Sequence, residues 1–144
     1  MTAILQLYVD SVLTLSPGSR YSVPLESAAS WTQSLIKQGM MQETLIVMCG
    51  EMGRTPRINY YGGRDHWGDA WSMAFTGCGI KPGVVLGKTN GLGTEVIDGA
   101  VDAGDLFHTI LAAMGLDSTG NYQVGGRDNP IADPASSVIK EVLA

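Results

Sequence analysis

The sequence predicts an α/β domain, and three observations carry that prediction. Thr44-Leu-Ile-Val-Met-Cys49 is an unbroken apolar run of strand length, the kind that suits a strand interior to a sheet and buried on both faces. Ahead of it, the stretch from about Leu25 to Gln38 places Ala28, Trp31, Leu35 and Ile36 at helical spacing and closes on Gly39, well placed as a C-terminal cap. Helix, short loop and buried strand make one half of an α/β unit. Third, the Gly-rich, charged stretch Gly50–Asp69 begins where that strand ends, and ligands of open α/β sheets gather at the carboxyl ends of strands.

The remaining elements follow in order. Residues 3–15 carry Ile4, Leu5, Leu7, Tyr8, Val12, Leu13 and Leu15 at helical spacing and stop at Ser16-Pro17-Gly18, which predicts an N-terminal helix. Trp71–Thr76 reads as a second strand, followed by a turn around Lys81-Pro82. Val84–Gly87 and Glu95–Ile97 read as short edge or hairpin strands. Asp105 is expected to cap a helix that runs through Met114 and ends at Gly115, and Ala135–Leu143 suits a last short helix. Trp31 and Trp71 are expected in the core, Trp67 beside the Gly-rich loop, and the Asn129-Pro130 and Asp133-Pro134 pairs in a loose connection.

Composition sets the bounds. The chain has 144 residues, 44% of them hydrophobic, which suits one domain over residues 1–144 and argues against disorder. A net charge of −5 offers no basic stripe for nucleic acid. No apolar run reaches the ~20 residues of a membrane span, and the N-terminus lacks the cationic start of a signal peptide. Cys49 and Cys78 have no metal or redox spacing and are expected to be buried free thiols. The sequence contains no G-x-S-x-G elbow, P-loop or G-x-G-x-x-G unit.

Chemistry-bearing residues concentrate in the loop after Cys49. Glu51, Asp65 and His66 supply carboxylate and imidazole, a donor set for zinc, iron or manganese and for general acid–base work. Arg54, Arg57 and Arg64 flank them, and guanidinium forks favour phosphate, sulfate or carboxylate. The pattern leaves plainer roles open: Glu51 paired with Arg54 or Arg64, Asp65 capping a turn, and the arginines neutralising a solvated loop. His108, beside Phe107 and Thr109, reads as a packed or surface residue rather than a ligand.

Thr44–Asn59 with its Glu-Met-Gly-Arg-Thr-Pro core, the Gly62-Gly-Arg-Asp-His-Trp67 segment, Gly79–Thr89, Asp105–Asp117 and the closing Gly126-Arg127…Pro130-Ile131 together resemble the domain of unknown function 1501 family. The likeness covers about residues 26–131. That family is related to the alkaline phosphatase-like superfamily, which includes sulfatases. The resemblance implies an alkaline phosphatase-like mixed sheet with flanking helices, of which this chain looks like the C-terminal portion. It also implies divalent metal, Zn or Mn, at the strand ends. Glu51 stands where the superfamily has an Asp, and His66 where it has a later His. Met52 replaces the His expected beside Glu51, which favours one metal or altered chemistry.

The leading expectation is therefore a metal-dependent hydrolase acting on a phosphate, sulfate or similar ester. Glu51, Asp65 and His66 would hold the metal, and Arg54, Arg64 and Trp67 would contact the anionic substrate. The alternative is a non-catalytic binding or assembly module from the same superfamily. A metal-free esterase with Thr55 as nucleophile ranks below both, because no second His stands near it in sequence. A homo-oligomer is expected, since a partial sheet leaves an edge and apolar surface to cover.

Overall fold

The computed structural model describes residues 3–6 and 25–144 of the chain. These residues form a mixed α/β domain built on a four-stranded sheet. Its strands are β1 (Ala3–Gln6), β2 (Leu45–Cys49), β5 (Trp71–Gly77) and β6 (Val85–Leu86), in the order β2-β5-β1-β6. β5 runs antiparallel to β2, with Val47 opposite Phe75, and parallel to β1, with Leu5 opposite Met73. Helix α1 (Leu25–Lys37) precedes β2, and α2 (Ala103–Ala113) covers the sheet. Two-stranded ribbons make up the rest: β3 (Gly53–Arg54) with β4 (His66–Trp67), β7 (Lys88–Thr89) with β8 (Val96–Asp98), and β9 (Asn121–Val124) with β10 (Arg127–Pro130).

The core lies between β5 and α2. Met73 and Phe75, two apart on β5, share a face and pack with Val101, Leu106, Ala113, Ile139 and Val142. The last residues close this layer without the expected Ala135–Leu143 helix. Only Lys140–Val142 forms a 3₁₀ turn, and the segment instead bonds to the turn after β5: Lys81 N donates to Val142 O at 2.9 Å, and Ala144 N to Gly79 O at 3.1 Å. Pairing with that turn takes Val142 to full burial, which a free amphipathic helix there would not.

Helix ends follow local chemistry. Both helices close in the double-bonded manner favoured by a left-handed residue: Gly39 has φ 71° and Gly115 φ 74°. Met40 N reaches Leu35 O, and Leu116 N reaches Leu111 O, spanning the last turn in each case. The cap of α2 is Asp102, not Asp105. Two aspartates three apart compete for the role; Asp102 Oδ1 accepts from Asp105 N at 2.8 Å, while the Asp105 carboxylate reaches back to Asp102 N and also accepts from Ser137 N.

Four further expectations are corrected. Residues 3–6 are a strand, because this short apolar run finds a parallel partner in β5 more than sixty residues away; residues 7–15 of the expected helix lie outside the described residues. β2 is a strand, as its apolar run requires, but among the described residues it stands at the edge of the sheet, and it is half-buried rather than interior. Trp31 is 74% exposed, and none of the described side chains of α1 belongs to the buried core cluster, whereas Trp71 does pack against that core. Cys49 is exposed and Cys78 only partly buried, both free, as follows from their places at the end of β2 and just past β5.

His108 is 4% exposed and fully engaged. Its Nε2 lies 2.9 Å from the Asp133 carbonyl, which can only accept, so Nε2 carries the proton. Nδ1 lies 2.6 Å from Ser118 Oγ, and in the neutral ring the hydroxyl donates to it. The residue therefore ties α2 to two loops, the packed one of the two roles, packed or surface, that the sequence left open. No helix of the described residues is long and apolar enough to cross a membrane.

Candidate functional site

The chain leaves β2 at Gly50, turns through Glu51 and Met52, and enters the β3–β4 ribbon. Gly53 is obligatory there. A Cβ at this position would stand 1.9 Å from Ala70 O and 2.6 Å from Trp67 O, both backbone atoms that cannot swing aside. This close approach lays the ribbon against the start of β5. In the ribbon Gly53 faces Trp67, and Arg54 faces His66. Directly opposed residues of an antiparallel pair project to one side, with Cβ atoms about 4.5–5.5 Å apart. Arg54 and His66 thus stand side by side in solvent, and neither side chain forms a hydrogen bond among the described residues.

Residues 55–65 join the two strands in a loop that hydrogen-bonds mainly to itself. Thr55 N donates to Asp65 O at 3.0 Å, Asp65 N to Thr55 Oγ1 at 3.0 Å, and Thr55 Oγ1 to Arg57 O at 2.9 Å. Asn59 organises the tip. Its Oδ1 accepts from Tyr61 N and Gly63 N, each at 3.0 Å, and its Nδ2 donates to Asp65 Oδ1 at 2.8 Å. Arg64 Nη1 donates to Thr55 O at 2.8 Å and also to Pro56 O.

A second turn buttresses the loop. Asn90 Oδ1 accepts from Leu92 N and Thr94 N, and Thr94 O accepts the Trp67 indole N–H at 2.7 Å. Trp67, Asp69, Thr94, Glu95 and Val96 line an open cleft of about 660 Å³ beside this contact.

These bonds sort the expected site residues. Arg54 and His66 are brought together with open hydrogen-bonding groups. Arg64, expected to contact substrate, neutralises loop carbonyls; Trp67 walls the cleft but uses its N–H internally. Asp65 holds Asn59. Glu51 is exposed at the end of β2, with no ion pair to Arg54 or Arg64 among the described residues. Among the described residues, no three His, Cys, Asp or Glu side chains form a group able to hold a metal ion. Thr55 Oγ1 is engaged on both sides, donating to Arg57 O and accepting from Asp65 N. Asn59, the organiser, is a residue that the sequence reading passed over; its signal was an Asn three residues before a Gly-Gly pair, a setting for side-chain-closed turns.

The arrangement can donate hydrogen bonds from a guanidinium and an imidazole to one oxyanion. Comparison with known proteins finds a family model, described as a protein of unknown function (DUF1501), that matches residues 26–143. No curated protein matches the chain, and no solved structure does.

Proposed function

The chain belongs to the DUF1501 family, and on that premise we propose that it is a binding module for a phosphate, sulfate or similar anionic ester, derived from the alkaline phosphatase-like superfamily. The observation that carries the reading is the Arg54–His66 register across β3 and β4. Two donors on one face, held by a ribbon whose spacing Gly53 fixes, are pre-organised for an anion. Titration of the protein with inorganic phosphate and with a phosphate monoester, for wild type and for Arg54→Ala and His66→Ala, tests it. Binding lost in both variants supports the module; binding unchanged by either removes it.

A metal-dependent hydrolase of the same esters is the second reading, favoured by the exposed Glu51 at the carboxyl end of β2, which has no ion-pair partner among the described residues. It requires Asp65 to release Asn59 and join Glu51 and His66 on Zn²⁺ or Mn²⁺. Ester hydrolysis that appears on adding either ion, and disappears in Glu51→Gln, would establish it over simple binding.

Self-association belongs to the same proposal. β2 is an apolar edge strand, and Trp31 and Ile36 of α1 are 74% and 56% exposed, a combination that dimers commonly cover. Light scattering that returns a monomer of 15.2 kDa at high concentration would refute it.

A further inference from the structure

The tip of the loop between β3 and β4 carries two features that anion binding at Arg54 and His66 does not use. Tyr60 is 96% exposed and Tyr61 90%, with ring centroids 5.5 Å apart in an edge-to-face arrangement, and Ile58 beside them is 58% exposed. The three are neighbours at one loop tip, and contiguous exposed apolar side chains mark a contact surface where scattered ones do not. Charge is the second feature. Residues 55–63 hold one charged side chain, the Arg57 guanidinium, and no acidic residue, while the chain as a whole carries −5. The tip is a cationic, aromatic island on an acidic protein.

The backbone under it is already ordered. Asn59 bonds to Tyr61 N, Gly63 N and Asp65 Oδ1, and Arg64 ties the stem to the Thr55 and Pro56 carbonyls. Binding through this tip would lose little backbone freedom, and tyrosines immobilise only two side-chain torsions each. A shallow hollow of about 270 Å³ lies next to the rings, lined by Thr55, Arg57, Asn59, Tyr60 and Asp65. Arg57 and Tyr60 both line it.

We propose that this tip, Arg57 with Ile58, Tyr60 and Tyr61, is a docking surface for an acidic polypeptide segment of a partner protein. Charge complementarity selects the partner: carboxylates of the segment meet Arg57, and its apolar side chains lie on the tyrosine rings. Tyr and Arg are the residue types that dominate binding energy at protein interfaces. The surface is separate from the Arg54–His66 pair, so the two bind independently.

Fluorescence anisotropy of the full chain with a fluorescein-labelled peptide of alternating Glu and Leu tests this surface. Saturable binding that weakens as salt rises is expected. The double substitution Tyr60→Ser with Tyr61→Ser should weaken it roughly tenfold or more, and Arg57→Glu should do the same. Both tyrosines are solvent-exposed, so the variants should keep the wild-type circular dichroism and the wild-type phosphate titration at Arg54 and His66. No binding, equal binding by wild type and the double variant, equal binding of a Lys-and-Leu peptide, or a preference for double-stranded DNA over the acidic peptide would each overturn the proposal. None of these outcomes bears on phosphate binding.

Discussion

Arg54 and His66 oppose each other across the β3–β4 ribbon, one residue beyond the glycine that presses the ribbon onto β5. That position gives both side chains a rigid base while their polar ends stay in water. The acids nearby act differently. Asp65 holds Asn59, so a carboxylate expected in a metal site here supports the backbone on which the cationic groups are displayed.

Gly53→Ala tests the base. Its added Cβ would fall 1.9 Å from Ala70 O, so the ribbon must move away from β5. Overpacking against backbone should destabilise the fold by about 3 kcal/mol and abolish phosphate binding. Urea unfolding with an unchanged midpoint would show that the close approach carries no constraint.

The Ser118–His108 contact should matter for stability alone. Ser118→Ala leaves the buried His108 Nδ1 without a partner. A loss of about 1–3 kcal/mol is expected, seen as a lower urea midpoint at constant slope. Phosphate binding should be unaffected; a change in binding with no change in stability would contradict the structural role.

Much of this architecture could be read from the sequence, and the failures have identifiable causes. β5 was legible because Trp71–Thr76 is a short apolar run bounded by turns. β2 was legible as a strand, but an apolar run does not reveal how many neighbours a strand has, and the edge position was missed. β1 was misread because four residues fit helical or strand spacing equally, and their partner Trp71–Met73 is remote in sequence. The loop was singled out by its glycines and charges, and within it the structure forms the β3–β4 ribbon. Which charges face outward was not legible, because that depends on Asn59, Thr55 and the carbonyls that Arg64 satisfies. These bonds arise only once residues 55 and 65 meet.

Asp117 provides a pH test. Hydrogen bonds from the Thr119 hydroxyl, at 2.7 Å, and from Thr119 N, at 2.9 Å, favour the ionised carboxylate and hold its pKa below the ordinary 3.8. A depressed folded pKa contributes stability that is present above the unfolded value and is lost as pH falls through the folded one. The group is fully exposed, so the contribution is small. A carboxyl titration followed by NMR should give a midpoint below 3.8 that rises in Thr119→Val; a midpoint at or above 3.8 in the wild type would refute the bonding.

The central claim is that Arg54 and His66 hold one anion together, and the His66 ring is the most direct reporter. Two charge-assisted contacts worth about 2 kcal/mol each correspond to a dissociation constant on the order of 1 mM. Titration of the wild-type protein with inorganic phosphate at fixed pH, followed by the His66 ring resonances in an NMR spectrum, should show a saturable shift in that range. Arg54→Ala should weaken it at least roughly tenfold. His66 resonances that do not move with phosphate, or that move equally in Arg54→Ala, would contradict the account.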